Sequence, residues 1–355
     1  MGILIRQGGI LTSVQDGGRF GAQLSGISVT GAADLLAYET ASYLVGNFFG
    51  EACLEATMAG LEIEFTSPNT VAVTGGDMTP LLNGQAMPMY TAVAAESGDV
   101  LRLSAYRSGF RTYIAFAGGL DVPLVYGSRS THLRCGFGGF SGRKLASGDR
   151  LEFAAPAPGR RIGESVPPAD YSGDPIVLRA VLGPQDDYFT EEGIETFFSA
   201  VYTTTSEMDR LGARLEGPVI QHAREAGIIS DGVAFGSVQV PASGKPIVML
   251  ADRQSTGGYA KIATIASVDI PLLAQATPGR KVQFRQVSVE QAQALYLERR
   301  RDMAALAERM RLPSLPVNPS RLDVPVLLET PDEWMEYFVT TEKASYRVRV
   351  RKLSG

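Results

Sequence analysis

The sequence predicts a mainly β protein with a few helices. A glycine followed by apolar residues three and five positions later recurs at Gly60, Gly98, Gly148 and Gly279. Each glycine marks a tight turn before a strand that alternates between a buried and a solvated face. This repetition favours closed or nearly closed antiparallel sheets, for which a β-barrel is the natural form.

Two segments have helical spacing. The first begins at Thr30, the predicted N-cap, and ends at Gly46, with apolar or small residues on one face. The second begins with the capping box of Ser288 and Gln291 and continues to Met310. We expect the first helix to pack across a barrel mouth.

The chain of 355 residues suits two domains with separate cores. Residues 156–173, rich in Pro, Gly and Ser, read as a linker between an N-terminal half (1–155) and a C-terminal half (174–311) that ends in a helix. A second Pro-rich stretch opens an accessory extension, 312–355, in which the alternating residues from Tyr346 predict an edge strand.

Composition excludes several function classes. The net charge of -5 and pI near 5.3 disfavour nucleic acid as a partner. Two cysteines, Cys53 and Cys135, fit a reducing compartment, so we expect a cytoplasmic protein. We expect neither a signal peptide nor a membrane anchor.

Standard catalytic motifs are absent. The chain has no P-loop, and its two histidines, His132 and His222, lie in no HExxH or Cys/His pattern, so we predict no metal site and interpret both histidines as packing or surface residues. The glycine-rich loop from Gly136 to Lys144 has two interpretations, a hairpin or a backbone cradle for an anion.

Polar residues are densest in the C-terminal half. They surround paired glycines, which permit close approach of a ligand, and include arginines that can bind carboxylate or phosphate. The cluster favours a site, although Asp209 with Arg210 and Asp252 with Arg253 could instead form structural ion pairs. The candidates are Arg210, Arg214, Gln239, Asp252, Gln254, Thr256, Gly257, Gly258, Tyr259 and Lys261.

Nine phrases give the chain a resemblance to the allophanate hydrolase subunit 2 family, also described as the C subunit of 5-oxoprolinase or as biotin-dependent carboxyltransferase-like, over about residues 8–295. Their order and spacing are specific, although each phrase alone is weak. The phrases are Gly9-ILTSVQDGGRFG, Gly31-AAD, Leu44-VGN, Gly127-SRSTH, Gly138-GFSGRKLASGD, Gly183-PQDDYF, Asp209-RLGARLEGP, Ser230-DGVAFGSVQVP and Asp252-RQSTGGYAKIAT.

The resemblance implies two cyclophilin-like β-barrel halves. It also implies a complex with a sister subunit, known in this family as subunit 1 or the B subunit, and with a third subunit that opens the lactam. Such a complex would use ATP, with Mg shared with the partner subunit, to hydrolyse a small amide such as 5-oxoproline. The chain carries no Met-Lys-Met sequence, so biotin would not be attached to it.

The resemblance also suggests roles for the candidates. Arg210 and Arg214 would clamp an anion, and Gln239 and Gln254 would recognise an amide or ureido group. Asp252 would manage the amide proton, together with Lys261 and Tyr259 as catalytic residues. Thr256, Tyr259 and Lys261 would orient the substrate around the turn at Gly257 and Gly258.

Two alternatives stay open. Relatives of the urea carboxylase type imply a carboxyltransferase component of a biotin-dependent complex. Other relatives imply a non-enzymatic regulator that binds a kinase-inhibitor protein. A neighbouring gene for a biotin carrier would favour the first, and binding without amide turnover would favour the second.

Overall fold

The computed structural model describes residues 1–155 and 162–310 and the backbone of two strands, 335–340 and 345–350. The chain forms two compact units, Met1–Met310 and Arg311–Gly355. In the second unit, β21 (Met335–Thr340) pairs antiparallel with β22 (Ser345–Val350), where the sequence predicts an edge strand. The other residues of the predicted extension lie outside the described part of the chain.

The N-terminal half consists of eleven strands and one helix. The strands form a six-stranded sheet, ordered β11-β1-β4-β9-β6-β7, and a five-stranded sheet, ordered β2-β3-β10-β5-β8. The elements are β1 (Gly2–Gly8), β2 (Leu11–Gln15), α1 (Leu35–Leu44), β3 (Cys53–Thr57), β4 (Leu61–Phe65), β5 (Asn69–Asp77), β6 (Pro80–Leu82), β7 (Gln85–Ala86), β8 (Ala92–Ala95), β9 (Val100–Leu103), β10 (Ser108–Phe116) and β11 (Arg150–Glu152).

The C-terminal half contains a closed seven-stranded barrel, ordered β12-β19-β16-β17-β14-β13-β20, and a separate pair, β15 and β18. Only β12 and β20 pair in parallel among its described strands. The elements are β12 (Ile176–Leu182), α2 (Glu191–Ser199), β13 (Val201–Met208), β14 (Gly212–Glu216), β15 (Gly227–Gly232), β16 (Ser237–Gln239), β17 (Ile247–Met249), β18 (Thr256–Tyr259), β19 (Lys261–Ile265), α3 (Ile270–Ala274), β20 (Lys281–Gln286) and α4 (Val289–Arg309).

The mainly β prediction is confirmed, and so are the four glycine turns. Gly60, Gly98, Gly148 and Gly279 have φ angles of 88°, 92°, 92° and 89° and precede β4, β9, β11 and β20. A side chain is strained in this left-handed region, whereas glycine is not. Each half has its own apolar core, one including Ile5, Ile63 and Phe116 and the other Leu178, Val248 and Phe284.

The predicted start of the first helix is wrong. Thr30 has a φ of 55°, and its hydroxyl accepts a hydrogen bond from Arg19 instead of capping a helix. The helix begins at Leu35, after Asp34, whose carboxylate accepts from the backbone N–H of Ala37 at 2.9 Å. An aspartate in this position satisfies one of the unpaired N–H groups of the first turn.

The predicted capping box of Ser288 and Gln291 is present at the start of α4, which ends at Arg309. Part of the predicted linker, 156–161, lies outside the described residues. The rest of that segment contacts the core, because the Tyr171 hydroxyl donates to the Asp34 carboxylate at 2.8 Å. No helix among the described residues combines the length and the apolar character needed to cross a membrane.

Candidate functional site

Four charged side chains meet between the halves and form what we name the seam cluster: Glu55, Arg111, Arg210 and Asp252. Arg210 lies after β13 and is 5% exposed. It donates to both carboxylate oxygens of Asp252, at 2.9 and 3.0 Å, and also to Glu55 and to the carbonyl of Gly31. The guanidinium fork thereby joins the C-terminal half to two points of the N-terminal half.

The charges in this cluster stabilise one another. Burial raises the pKa of Glu55, but the charges of Arg210 and Arg111, together with hydrogen bonds from Ala33 and Tyr113, outweigh burial and lower it. Burial would likewise lower the pKa of Arg210, but Asp252 and Glu55 outweigh it and raise that pKa. Glu55 also accepts from the Tyr113 hydroxyl at 2.7 Å, so its carboxylate is satisfied on all sides.

Four of the predicted site residues line one cavity of about 500 Å³, which we name the glutamine cavity: Arg214, Gln239, Gln254 and Tyr259. The Gln254 amide nitrogen lies 3.5 Å from the Gln239 amide oxygen, and Gln239 donates to the Tyr259 carbonyl at 3.4 Å. The cavity volume falls within the range of about 300–1,000 Å³ typical of small-molecule sites.

The paired glycines bring β18 close to this cavity. A Cβ atom on Gly257 would lie 2.6 Å from the Gln239 amide nitrogen and 3.3 Å from that of Gln254, whereas one on Gly258 would have no neighbour nearer than 3.6 Å. Thr256 is exposed on the same strand and pairs with Gly232 of β15. The predicted close approach therefore occurs at Gly257.

Lys261 lies outside the glutamine cavity and in a separate group. Its side chain is 3% exposed and its ammonium donates to Asp231 at 2.7 Å. Gln185 bridges the same two residues, since its amide nitrogen donates to Asp231 and its amide oxygen accepts from the Lys261 backbone N–H, both at 3.2 Å. Asp231 belongs to β15, so this ion pair connects the two-stranded sheet of β15 and β18 to the barrel.

The structure thus separates the ten predicted residues. The glutamine cavity is lined by Arg214, Gln239, Gln254 and Tyr259, and the strand that contains Tyr259, β18, also carries Thr256, Gly257 and Gly258. The seam cluster contains Arg210 and Asp252. Lys261 pairs with Asp231. Their catalytic and binding roles stay predictions. Arg214 is exposed and pairs with Glu207 at 3.0 Å. The sequence left open an ion pair between Asp209 and Arg210 and another between Asp252 and Arg253. Neither forms, because Arg210 pairs with Asp252.

A turn of the N-terminal half faces the seam and was missed by sequence reasoning. The Asp16 carboxylate accepts from the backbone N–H of Gly18 and Arg129 and from the hydroxyls of Ser128 and Ser130. These contacts tie together two of the phrases that carry the family resemblance. The signal available in the sequence was an acidic residue next to paired glycines in the first phrase.

Two buried guanidinium groups flank the seam without a carboxylate contact among the described residues. Arg19 donates to Val125, Thr30 and Ser130 oxygens at 2.7–2.8 Å, and its pKa is lowered by burial. Arg253 donates to the carbonyls of Val233 and Leu250, and burial lowers its pKa to about 10. The charges of Asp16 and Asp252 partly offset the effect of burial on the pKa of Arg19.

The histidines fit the packing interpretation. His132 is buried beside Phe137, with ring centroids 5.3 Å apart, and burial lowers its pKa. His222 contacts the carbonyl of Val240 and the ring of Phe189. No group of three or more His, Cys, Asp or Glu side chains within the described residues could hold a metal ion.

Comparison with known proteins identifies the relatives of this arrangement. The family model described as "Carboxyltransferase domain, subdomain A and B" matches residues 25–286. The C subunit of 5-oxoprolinase from Escherichia coli is 36% identical over 306 residues, which cover 86% of this chain and 98% of that protein. The protein of the same name from Haemophilus influenzae is 32% identical over 80% of this chain and 90% of its own length.

A solved structure has a matching fold. The K. lactis urea amidolyase matches with a TM-score of 0.82 and 27% identity over 88% of this chain. This chain spans only 20% of that protein. The resemblance predicted from the sequence is confirmed, and the chain belongs to the carboxyltransferase domain family of subdomains A and B.

Proposed function

We propose that this chain is a subunit of an ATP-dependent amidohydrolase complex that acts on a small amide such as 5-oxoproline. The observation that carries the proposal is the match to the C subunit of 5-oxoprolinase, which extends over 98% of the relative's length. Because that relative is named as one subunit of an enzyme, partner subunits are expected here. We retain the sister subunit (subunit 1 of this family) and a lactam-opening subunit as the expected partners, and the cytoplasm as the expected location.

The glutamine cavity supports the substrate class. A primary amide side chain offers N–H donors to a carbonyl oxygen and a carbonyl acceptor to an amide N–H. Gln239 and Gln254 lie beside each other in a cavity that also contains the Tyr259 side chain. A planar amide could therefore satisfy both its donor and its acceptor there, with Arg214 at the rim for a carboxylate.

The charged part of the reaction requires a fixed cation at the glutamine cavity. Hydrolysis of a cyclic amide breaks the C–N bond, adds hydroxide to the carbonyl carbon and places a proton on nitrogen, so negative charge develops on oxygen. Fixed cations stabilise such charge without reorganisation. Arg214 is the cation that lines this cavity, whereas Arg19 and Arg253 are buried elsewhere and do not line it. Both oxygens of Asp252 are held by Arg210.

ATP and Mg have no recognised site in the described part of the chain. It contains neither a P-loop nor a group of acidic side chains able to hold a metal ion. We retain the expectation that ATP and Mg are shared with the partner subunit and derive no step through them.

The decisive test is ATP turnover by this chain co-expressed with its neighbouring subunits. We expect 5-oxoproline to stimulate ATP hydrolysis and to yield glutamate, and we expect the stimulation to vanish when this chain is omitted. If 5-oxoproline has no effect but a carboxybiotin carrier supports carboxylation of urea, the amidohydrolase proposal is wrong.

That second outcome would support a biotin-dependent carboxyltransferase component. The observation that favours it is the family model itself, whose description is a carboxyltransferase domain, together with the structural match to urea amidolyase. In that case biotin would be carried by another polypeptide.

A further inference from the structure

A second cavity, of about 820 Å³, opens between the halves and shares no lining residue with the glutamine cavity. One wall comes from β5, β6 and the start of β10. The other wall comes from residues 168–172 and from the turn before β20. We name it the interhalf cavity. None of the residues predicted from the sequence to form the site lines it.

Two arginines line this cavity without an ion pair among the described residues. Arg280 donates through Nη2 to the carbonyls of Tyr171, Ser172 and Gly173, which fixes the guanidinium on that segment. Its Nε atom is buried and has no hydrogen-bond partner in the described part of the chain. Arg107 is exposed at the opposite wall. Two positive groups therefore face one space.

Two aspartates also line the cavity, but their carboxylates cap turns. Asp77 accepts from the Thr79 backbone N–H at 2.8 Å, and Asp170 accepts from the Ser172 backbone N–H at 2.8 Å. Their charges offset those of the two arginines across the cavity as a whole. Because the four charges sum to zero, one added negative charge unbalances the cavity less than a polyphosphate would, and both guanidinium groups can receive it while the two carboxylates are held by backbone N–H groups.

The remaining wall is apolar and adaptable. Met87 and Met89 lie beside Pro80 and Tyr106. Thioether side chains adapt to ligands of irregular shape, and apolar lining with few polar groups is typical of small-molecule sites. The cavity has a polar end at the two arginines and an apolar wall, and this combination indicates an amphipathic ligand.

Backbone strain marks the same wall. Thr79 and Tyr90 have φ angles of 49° and 54°, in a region that side chains of their size rarely adopt. The Tyr90 hydroxyl holds its position by accepting from the Gly75 backbone N–H at 3.0 Å. Strained residues of this kind concentrate at ligand sites, where the surrounding structure maintains them.

We propose that the interhalf cavity binds a small organic monocarboxylate with an apolar body, its carboxylate between Arg107 and Arg280 and its body on the methionine wall. A carboxylate matches the planar fork of a guanidinium group. This binding is independent of the proposed amide hydrolysis, because the two cavities have no residue in common.

The test is isothermal titration of the full chain with N-acetylphenylalanine, a carboxylate, and with N-acetylphenylalaninamide, its neutral counterpart. We expect saturable binding of the carboxylate and at least about tenfold weaker binding of the amide, since a charge-assisted hydrogen bond contributes on that order. Arg107→Gln should weaken carboxylate binding by a similar factor, and because Arg107 is exposed this variant should fold. Arg280→Gln should have at least the same effect.

The matched control is Arg285→Gln, an exposed arginine of β20 that does not line the cavity. It should bind the carboxylate as the unaltered chain does. Equal binding of acid and amide, or equal loss in the Arg107→Gln and Arg285→Gln variants, would overturn the proposal. Phenyl phosphate serves as a further probe. If it binds more tightly than the carboxylate, the proposal that the ligand carries a single negative charge is wrong.

Discussion

Glu55 shows how a single residue can join two halves of a protein. It is an acidic residue in β3, 2% exposed, and it accepts hydrogen bonds from Ala33, Tyr113 and Arg210. Removing one member of a buried, hydrogen-bonded charge group leaves the others uncompensated in a medium of low polarity. The stability that depends on Glu55 therefore exceeds that of any surface pair in the described part of this chain.

We expect Glu55→Gln to lower the free energy of unfolding by about 3–5 kcal/mol, because it leaves Arg210 and Arg111 short of a counter-charge. Urea denaturation at neutral pH measures this change. Glu64→Gln is the control, since Glu64 meets Arg6 at the surface at 3.0 Å, and it should cost no more than about 1 kcal/mol. Equal losses in the two variants would contradict the account of the seam.

The pH dependence of this difference follows from the lowered pKa of Glu55. A carboxylate whose pKa is lower in the folded than in the unfolded chain stabilises the fold above its ordinary value of 4.5, and that stability is lost as the pH falls through the folded value. The difference in the free energy of unfolding between the unaltered chain and Glu55→Gln should be constant from pH 7 to about 5. It should narrow below that, and a gap unchanged to pH 3 would show that Glu55 carries no such linkage.

At the scale of elements, β18 controls the shape of the glutamine cavity. Gly257 and Gly258 are adjacent in this strand, and neither has a φ in the left-handed region, so a side chain is compatible with the backbone at both positions. Only at Gly257 would that side chain meet the Gln239 and Gln254 amides. The two positions form a matched pair that differs in the space available.

We expect Gly257→Ala to raise the KM for the amide substrate of the reconstituted complex about tenfold, because a displaced amide loses a hydrogen bond of about 1–1.5 kcal/mol. Gly258→Ala should leave KM unchanged. Gly258→Ala should keep the unfolding midpoint of the unaltered chain, and Gly257→Ala should lower it only slightly, since the nearest displaced group is the end of the flexible Gln239 side chain and the Val233 methyl lies 3.1 Å away. If both alanines have the same effect on KM, the glutamine cavity is not the amide site.

On the scale of the whole molecule, two apolar cores are joined through a polar seam and through a third apolar cluster, which contains Tyr38 and Leu44 of the N-terminal half together with Met310. Each half has a separate core, whereas Glu55, Gly31 and the backbone of Thr30 connect the N-terminal half to Arg210 and Ala251. Buried polar contacts of this kind determine how the two halves are placed relative to each other more than they add net stability. The seam should therefore determine whether the halves unfold together.

We expect Arg210→Met to reduce hydrogen-exchange protection in the core strands of both halves, measured by mass spectrometry. Arg179→Met is the control, because Arg179 pairs with Asp269 within the C-terminal half. That variant should reduce protection mainly in the C-terminal strands. Loss confined to one half in Arg210→Met would show that the seam does not couple the two cores.

Local rules were sufficient for much of this protein. Glycine at each of four turns and the capping box at Ser288 could be predicted from the sequence because turn and capping chemistry act over a few residues. The family could also be recognised, since its phrases are contiguous. The start of α1 could not be predicted, because Thr30 contacts Arg19 and Ala251 at the seam instead of capping the helix. Asp34 provides the cap.

The grouping of the site residues required the tertiary structure. Asp209 is adjacent to Arg210 in the sequence, yet Arg210 pairs with Asp252, Glu55 and Gly31, and Lys261 pairs with Asp231. The sequence determined the polar residue types that are dense in the C-terminal half and the family to which the chain belongs. Only the fold decided which charges neutralise one another and which face a cavity, because ion pairs depend on distances between strands far apart in the chain.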